Sequence, residues 1–185
     1  MRVLCSEKEF SGTASVVALG MFDGVHIGHQ ALIRTAVKLA KDIGAQSIVC
    51  TFDRHPMAVL CPQRAPEQLL SLEENLRKFE RLGADAALVK TFTKEFAAEL
   101  PEDFLAMLVD ELHAKVIVVG ENYTFGREGR GNAAIIRQYE KKYGYRAVIV
   151  PPVMDGERWA SSTYIRELIR NGETEHAERL LKIEE

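Results

Sequence analysis

The sequence predicts an α/β protein, a mostly parallel sheet of five strands with helices on both faces. Three observations carry this. Short β-branched apolar runs alternate with stretches of helical periodicity along the whole chain. Residues 15–20, 47–52 and 116–120 are apolar at nearly every position, as expected of strands covered on both faces. The 185 residues, 46% hydrophobic and 28% charged, suffice to bury one sizeable core in ordinary globular proportions.

Taken in order, residues 2–5 read as a short strand outside the five, joined by a polar connection to the first of them at 15–20. The helix starting near His26 puts Leu32, Ala36, Leu39 and Ala40 on one face and Arg34, Lys38 and Lys41 on the other. Gly44 suits its C-terminal turn. After the second strand, 47–52, comes a loop, 53–66, carrying Pro56, Pro62 and Pro66, long enough to point to function. Ser71 and Glu74 form a capping box for a helix to about Leu82, ended by Gly83. A third strand, 86–92, precedes a helix opened by Pro101 and carrying Phe104, Leu105, Leu108 and Leu112. The fourth strand, 116–120, runs into a glycine-rich loop, a helix over 133–143 closed by Gly144, and a fifth strand, 145–150, stopped by Pro151 and Pro152. Two helices, 161–171 and 173–182, follow. Right-handed crossovers then bring the loops after the first, second and fourth strands to one rim, beyond the carboxyl ends where such sheets bind ligands.

A net charge of -3 argues against a non-specific nucleic-acid or membrane surface, so any phosphate binding must be local. No apolar run has membrane-spanning length, and residues 1–10 are too charged for a signal peptide. Cys5, Cys50 and Cys61 form neither a CxxC pair nor an even framework, which suits a reducing cytoplasm. Cys50, inside a strand, reads as core.

The most informative stretch is 20–30, Gly-Met-Phe-Asp-Gly-Val-His-Ile-Gly-His-Gln. Gly20 and Gly24 stand where a strand turns sharply into a helix, and such a junction aims backbone N–H groups and a helix dipole at one point. His26 and His29, three apart, share a helix face. The residues admit an anion site, a zinc pair or structural histidines; the HExxH glutamate of a metalloprotease is missing. Residues 51–56, Thr-Phe-Asp-Arg-His-Pro, read as a turn. Residues 120–131 lack the signatures of a P-loop and of a dinucleotide fingerprint. Ser161, Ser162 and Thr163 are helix caps which, with Arg166 one turn in, also make a second anion site.

Together these strings resemble the FAD synthetases of the HxGH nucleotidyltransferase superfamily, the adenylyltransferase half of bacterial riboflavin kinase/FAD synthetase. Phe22-Asp23-Gly24-Val25-His26 with the trailing His29 and Gln30, the T-F-D-x-H-P segment, V-G-x-D/N-F-x-F-G at 119–126 and I-S-S-T-x-I-R at 160–166 occur in family order over nearly the whole chain. Arg54 stands where that family often has Pro, Tyr123 where it has Phe, and Ala160 where it has Ile. The resemblance implies a Rossmann-like nucleotidyltransferase fold in one domain, 1–185. It implies ATP and FMN as substrates, FAD and pyrophosphate as products, and Mg²⁺ accompanying ATP, its protein ligands unspecified. His26, His29, Asn122 and Arg166 would be catalytic. Gly20, Phe22, Asp23, Gly24, Gly120, Ser162 and Thr163 would join the histidines and Arg166 at ATP. Phe52, Asp53, His55, Pro56, Asn122, Tyr123 and Phe125 would meet FMN. No nucleic-acid or membrane partner is expected, and no stretch of the 185 residues is left for a riboflavin kinase, so FMN would come from a separate enzyme. The competing expectations are a sister enzyme acting on another phosphate, such as phosphopantetheine or nicotinamide mononucleotide, and a silent nucleotide- or flavin-binding module.

Overall fold

A computed structural model describes residues 1–183. In chain order the elements are β1 (Arg2–Leu4), β2 (Ser15–Leu19), α1 (Ile27–Ile43), β3 (Gln46–Phe52), α2 (Pro56–Leu60), α3 (Leu72–Arg81), β4 (Ala86–Lys90), α4 (Lys94–Ala97), α5 (Pro101–Asp110), β5 (Ala114–Gly120), β6 (Thr124–Phe125), β7 (Gly131–Asn132), α6 (Ala133–Tyr143), β8 (Arg146–Val150), β9 (Met154–Asp155), β10 (Arg158–Trp159), α7 (Ser162–Arg170) and α8 (Thr174–Leu181).

The main sheet has the order β1-β4-β3-β2-β5-β8 and every pairing in it is parallel. It has six strands where five were expected. The short N-terminal run is a member of the sheet, pairing Arg2, Val3 and Leu4 with Ala86, Ala87 and Leu88 at the edge. Two small antiparallel ribbons, β6–β7 and β9–β10, were not foreseen; two-residue strands are too short to show a period. The expected loop 53–66 contains α2, with Pro56 at its first turn.

Successive side chains of β2 point to opposite faces and build two cores. Val17 and Leu19 join Ile48, Leu88 and Ile117 beneath Phe104, Leu105 and Leu108 of α5 and Ile136 of α6. Val16 and Ala18 join Val49 and Val118 beneath Ile33, Ala36 and Val37 of α1 and Phe79 of α3. Helices therefore cover both faces. The α7–α8 pair forms a third, smaller cluster around Ile165, Leu168 and Leu180, with Ile27 and Leu69 packed on it.

The sheet order sets the site. From β2 the chain adds β3 and β4 on one side, then crosses back to add β5 and β8 on the other. The switch point lies between the carboxyl ends of β2 and β5, at Gly20 and Gly120.

Candidate functional site

A cleft of about 560 Å³ opens at this switch point. The loops after β2, β3 and β5 line it, as the topology required, and the start of α7 joins them. Gly20, Phe22, Asp23, His26 and His29 come from the first loop; Phe52, His55 and Pro56 from the second; Gly120, Asn122 and Tyr123 from the third; Ser162, Thr163 and Arg166 from α7. Gly24, Asp53 and Phe125 lie off its wall. Gly24 is buried behind it with φ 85°, and a Cβ there would come within 2.9 Å of Leu69 and Leu181. Asp53 shapes its own turn, accepting from the Phe92 N–H at 3.0 Å and pairing with Arg54 at 2.7 Å.

The turn between β2 and α1 is strained. Phe22 and Val25 hold φ 53° and 46°, a backbone region that bulky or β-branched residues rarely adopt, at a cost of roughly 1–3 kcal/mol each. Side chains from four elements and the turn's own Asp23 hold it. The Thr51 hydroxyl donates to the Met21 carbonyl at 2.9 Å and Gln30 Nε2 to that of Val25 at 3.0 Å. Asn75 Oδ1 accepts from the Gly24 N–H at 3.1 Å, and Lys78 Nζ donates to the Gly24 carbonyl at 3.0 Å. The Ser162 hydroxyl donates to the Asp23 carbonyl at 2.9 Å. The carboxylate of Asp23, 4% exposed, accepts from the Leu69 N–H at 3.0 Å, from that of Leu70 at 3.3 Å and from Arg166 Nη2. Arg166 Nε donates to the Glu67 carbonyl at 2.5 Å. Asp23 and Arg166 thus strap residues 67–70 to the cleft.

His26 is the N-cap of α1, its Nδ1 accepting from the His29 N–H at 3.4 Å. His55 caps α2 in the same way, accepting from the Met57 N–H at 3.1 Å. An Nδ1 that accepts leaves a neutral imidazole's proton on Nε2, so His26 and His55 are Nε2–H donors. The rings of His26 and His29 stack at 3.7 Å, and Phe22 meets His29 edge-on at 5.3 Å. Burial pushes His26 down to about 4, helped by Lys78 and Arg166. Burial likewise holds His29 well below the ordinary histidine range, helped by His26 and Lys78, and its buried Nδ1 has no hydrogen-bond partner. Burial and the Arg166 charge lower His55 as well. The cleft histidines are therefore neutral near pH 7, while Arg64 and Arg166 on its wall and Lys78 behind the turn supply the cationic groups.

A second cavity, about 590 Å³, adjoins the cleft and shares Phe52, Pro56, Tyr123 and Thr124 with it. Phe52, Phe92, Phe96, Phe104 and Phe125 line it in a run of tilted and edge-to-face contacts 5.2–5.8 Å apart. Tyr123 stacks on Phe125 at 5.6 Å. Phe125 belongs to this cavity.

The sequence model of a family described as FAD synthetase matches residues 8–164. The chain belongs to the FAD synthetase family. Among relatives, the chain is 37% identical over 174 residues to a bifunctional riboflavin kinase/FMN adenylyltransferase of Listeria monocytogenes, covering 94% of this chain and 55% of that protein. It is 35% identical over 169 residues to the protein of that description in Bacillus subtilis, covering 90% of this chain and 53% of the other. A protein called FAD synthetase in Listeria monocytogenes is 31% identical over 169 residues, covering 91% of this chain and 68% of its own length. The chain thus spans about half the length of the two bifunctional relatives. A crystal structure described as a macrolide-efflux protein from Streptococcus pneumoniae superposes with a TM-score of 0.82 at 34% identity, covering 97% of this chain and 60% of that one.

Sequence reasoning missed the residues that hold the strained turn from behind. Asn75 and Gln30 did carry a signal, each a polar residue on the apolar face of an amphipathic helix. Lys78 carried none; its partners are backbone carbonyls of Gly24 and Leu181, which no side-chain pattern reveals.

Proposed function

We propose that the chain is an FMN adenylyltransferase, joining ATP and FMN to give FAD and pyrophosphate. One observation carries the reading: a donor-rich cleft at the switch point adjoins a cavity walled by phenylalanines, the two sharing Phe52, Pro56, Tyr123 and Thr124. An isoalloxazine ring is a flat aromatic body suited to that cavity, and its phosphate tail would reach the shared rim at Phe52 and Pro56.

The FMN phosphate is largely dianionic near neutral pH, so its attack needs no strong general base. An FMN oxygen bonds to the α-phosphorus of ATP as the bond to the bridging oxygen breaks in line, and pyrophosphate leaves with the electron pair. The protein positions the groups and offsets charge. His26 Nε2–H and His29 would donate to the phosphates, most strongly in the transition state. Ser162 and Thr163 offer the unpaired N–H groups of the first turn of α7, where the dipole favours an anion. Arg166, with Nη2 and Nε engaged, would present Nη1. The exposed amide of Asn122 would organise the reacting phosphates. Among the described residues no three His, Cys, Asp or Glu side chains converge on a metal position. We read magnesium as riding on the triphosphate, held mainly by phosphate oxygens and water.

We take residues 1–185 as the adenylyltransferase unit, working in a reducing cytoplasm, with FMN supplied by a riboflavin kinase activity that is not housed in this fold. No helix of the described residues is long and apolar enough to cross a membrane. Incubation with ATP, Mg²⁺ and FMN followed by chromatography tests the reading; FAD must accumulate in proportion to protein. A panel with phosphopantetheine and nicotinamide mononucleotide separates the sister enzymes, and absence of any turnover points to a silent module. Riboflavin in place of FMN should remain unchanged.

A further inference from the structure

The chain has a single tryptophan, Trp159, and it stands 48% exposed on the wall of the cleft. The β9–β10 ribbon fixes its direction. Trp159 pairs with Met154 and Arg158 with Asp155, and the Ala160 N–H donates to the Val153 carbonyl at 2.9 Å. Neighbouring strand residues face opposite ways. Arg158 turns to α7, bonding Glu167 at 3.0 and 2.7 Å and lying 4.2 Å from the Tyr164 ring centroid. Trp159 faces the cleft, beside Val150, Pro151, Pro152 and Val153.

The sheet order gives this wall its place. Phe52 and Phe92, at and just past the ends of β3 and β4, lie to one side of the phosphate turn; Val150, at the end of β8, lies to the other. The cleft therefore has an aromatic cavity at one end, phosphate donors in the middle and an apolar wall with an exposed indole at the other. A large aromatic left half-exposed in a polar cleft offers a face for a planar ring, and nucleobases stack on such faces.

We propose that Trp159 is the adenine platform, its indole stacking on the purine of ATP and, after transfer, on the adenine end of FAD. This rests on the ATP reading above.

Because Trp159 is the sole tryptophan, its emission reports the contact without any variant. Excited at the red edge of indole absorption, it should be quenched by ATP and by adenosine, but not by tripolyphosphate. Trp159→Ala should raise KM for ATP roughly 5- to 100-fold with kcat little changed, because stacking holds ground and transition states alike. Trp159→Phe should recover most of the loss. Unchanged emission at an ATP concentration where calorimetry shows the nucleotide bound would overturn the proposal. So would equal quenching by tripolyphosphate, or an unaltered KM in a folded Trp159→Ala. Calorimetry showing no ATP binding would instead sink the ATP reading itself.

Discussion

Replacing Asp23 by Asn tests whether the turn between β2 and α1 depends on a buried charge. The substitution keeps size and shape and removes one negative charge. The Asp23 and Arg166 side chains are 4% and 14% exposed, so this pair is not a solvated surface contact. Asn retains one acceptor oxygen for the Leu69 N–H, but its amide nitrogen then faces a second donor, Leu70 N–H or Arg166 Nη2. Breaking a buried pair by removing one partner costs about 3–5 kcal/mol. Arg166 keeps the Glu67 carbonyl, which favours the lower end, about 3 kcal/mol. Urea unfolding at neutral pH measures it, and an Asp23→Asn, Arg166→Met double-mutant cycle isolates the coupling. A loss below about 1 kcal/mol, the range of exposed pairs, would refute the argument. So would Arg166→Met costing as much in the Asp23→Asn background as in the native chain.

Replacing His29 by Ala should lower kcat on the order of 10²-fold while FMN affinity, read by flavin fluorescence, stays near normal, because the donor acts mainly in the transition state. Asn122→Ala should abolish most turnover with the circular-dichroism spectrum unchanged, while Asn122→Asp keeps part of it. Acid should weaken the fold through His26: its folded pKa of about 4 lies below the unfolded value near 6.5, so the unfolded chain binds the extra proton. That stability is complete above pH 6.5 and is lost as pH falls toward 4, by up to about 3 kcal/mol. Urea midpoints at several pH values, with His26→Gln flattening the slope, check it.

The central strands were legible in sequence because a strand covered on both faces must be apolar throughout, as residues 47–52 and 116–120 are. The capping box at Ser71 and Glu74 was legible because both partners lie within one turn, and it forms. From alternation and crossover handedness alone, His26, His55 and Asn122 were placed on one rim. Legibility failed where an interaction is long-range and involves the backbone. The carboxylate of Asp23 binds N–H groups 46 and 47 residues away, and nothing in Leu69 or Leu70 as residue types announces it. The expected reach of Arg166 toward the start of its own helix could not show that Asp23 and Glu67 already hold two of its nitrogens.

The strained turn between β2 and α1 is also wired to residues 181–182. Lys78, which holds the Gly24 carbonyl, donates at 2.7 Å to that of Leu181 as well, and Gln30, which holds Val25, donates at 2.9 Å to that of Lys182. Two side chains thus bridge this bend and the tail of α8. Residues 181–182 act as a strut behind the turn, and a cut before them should loosen the backbone at Gly24 and Val25 without touching the cleft.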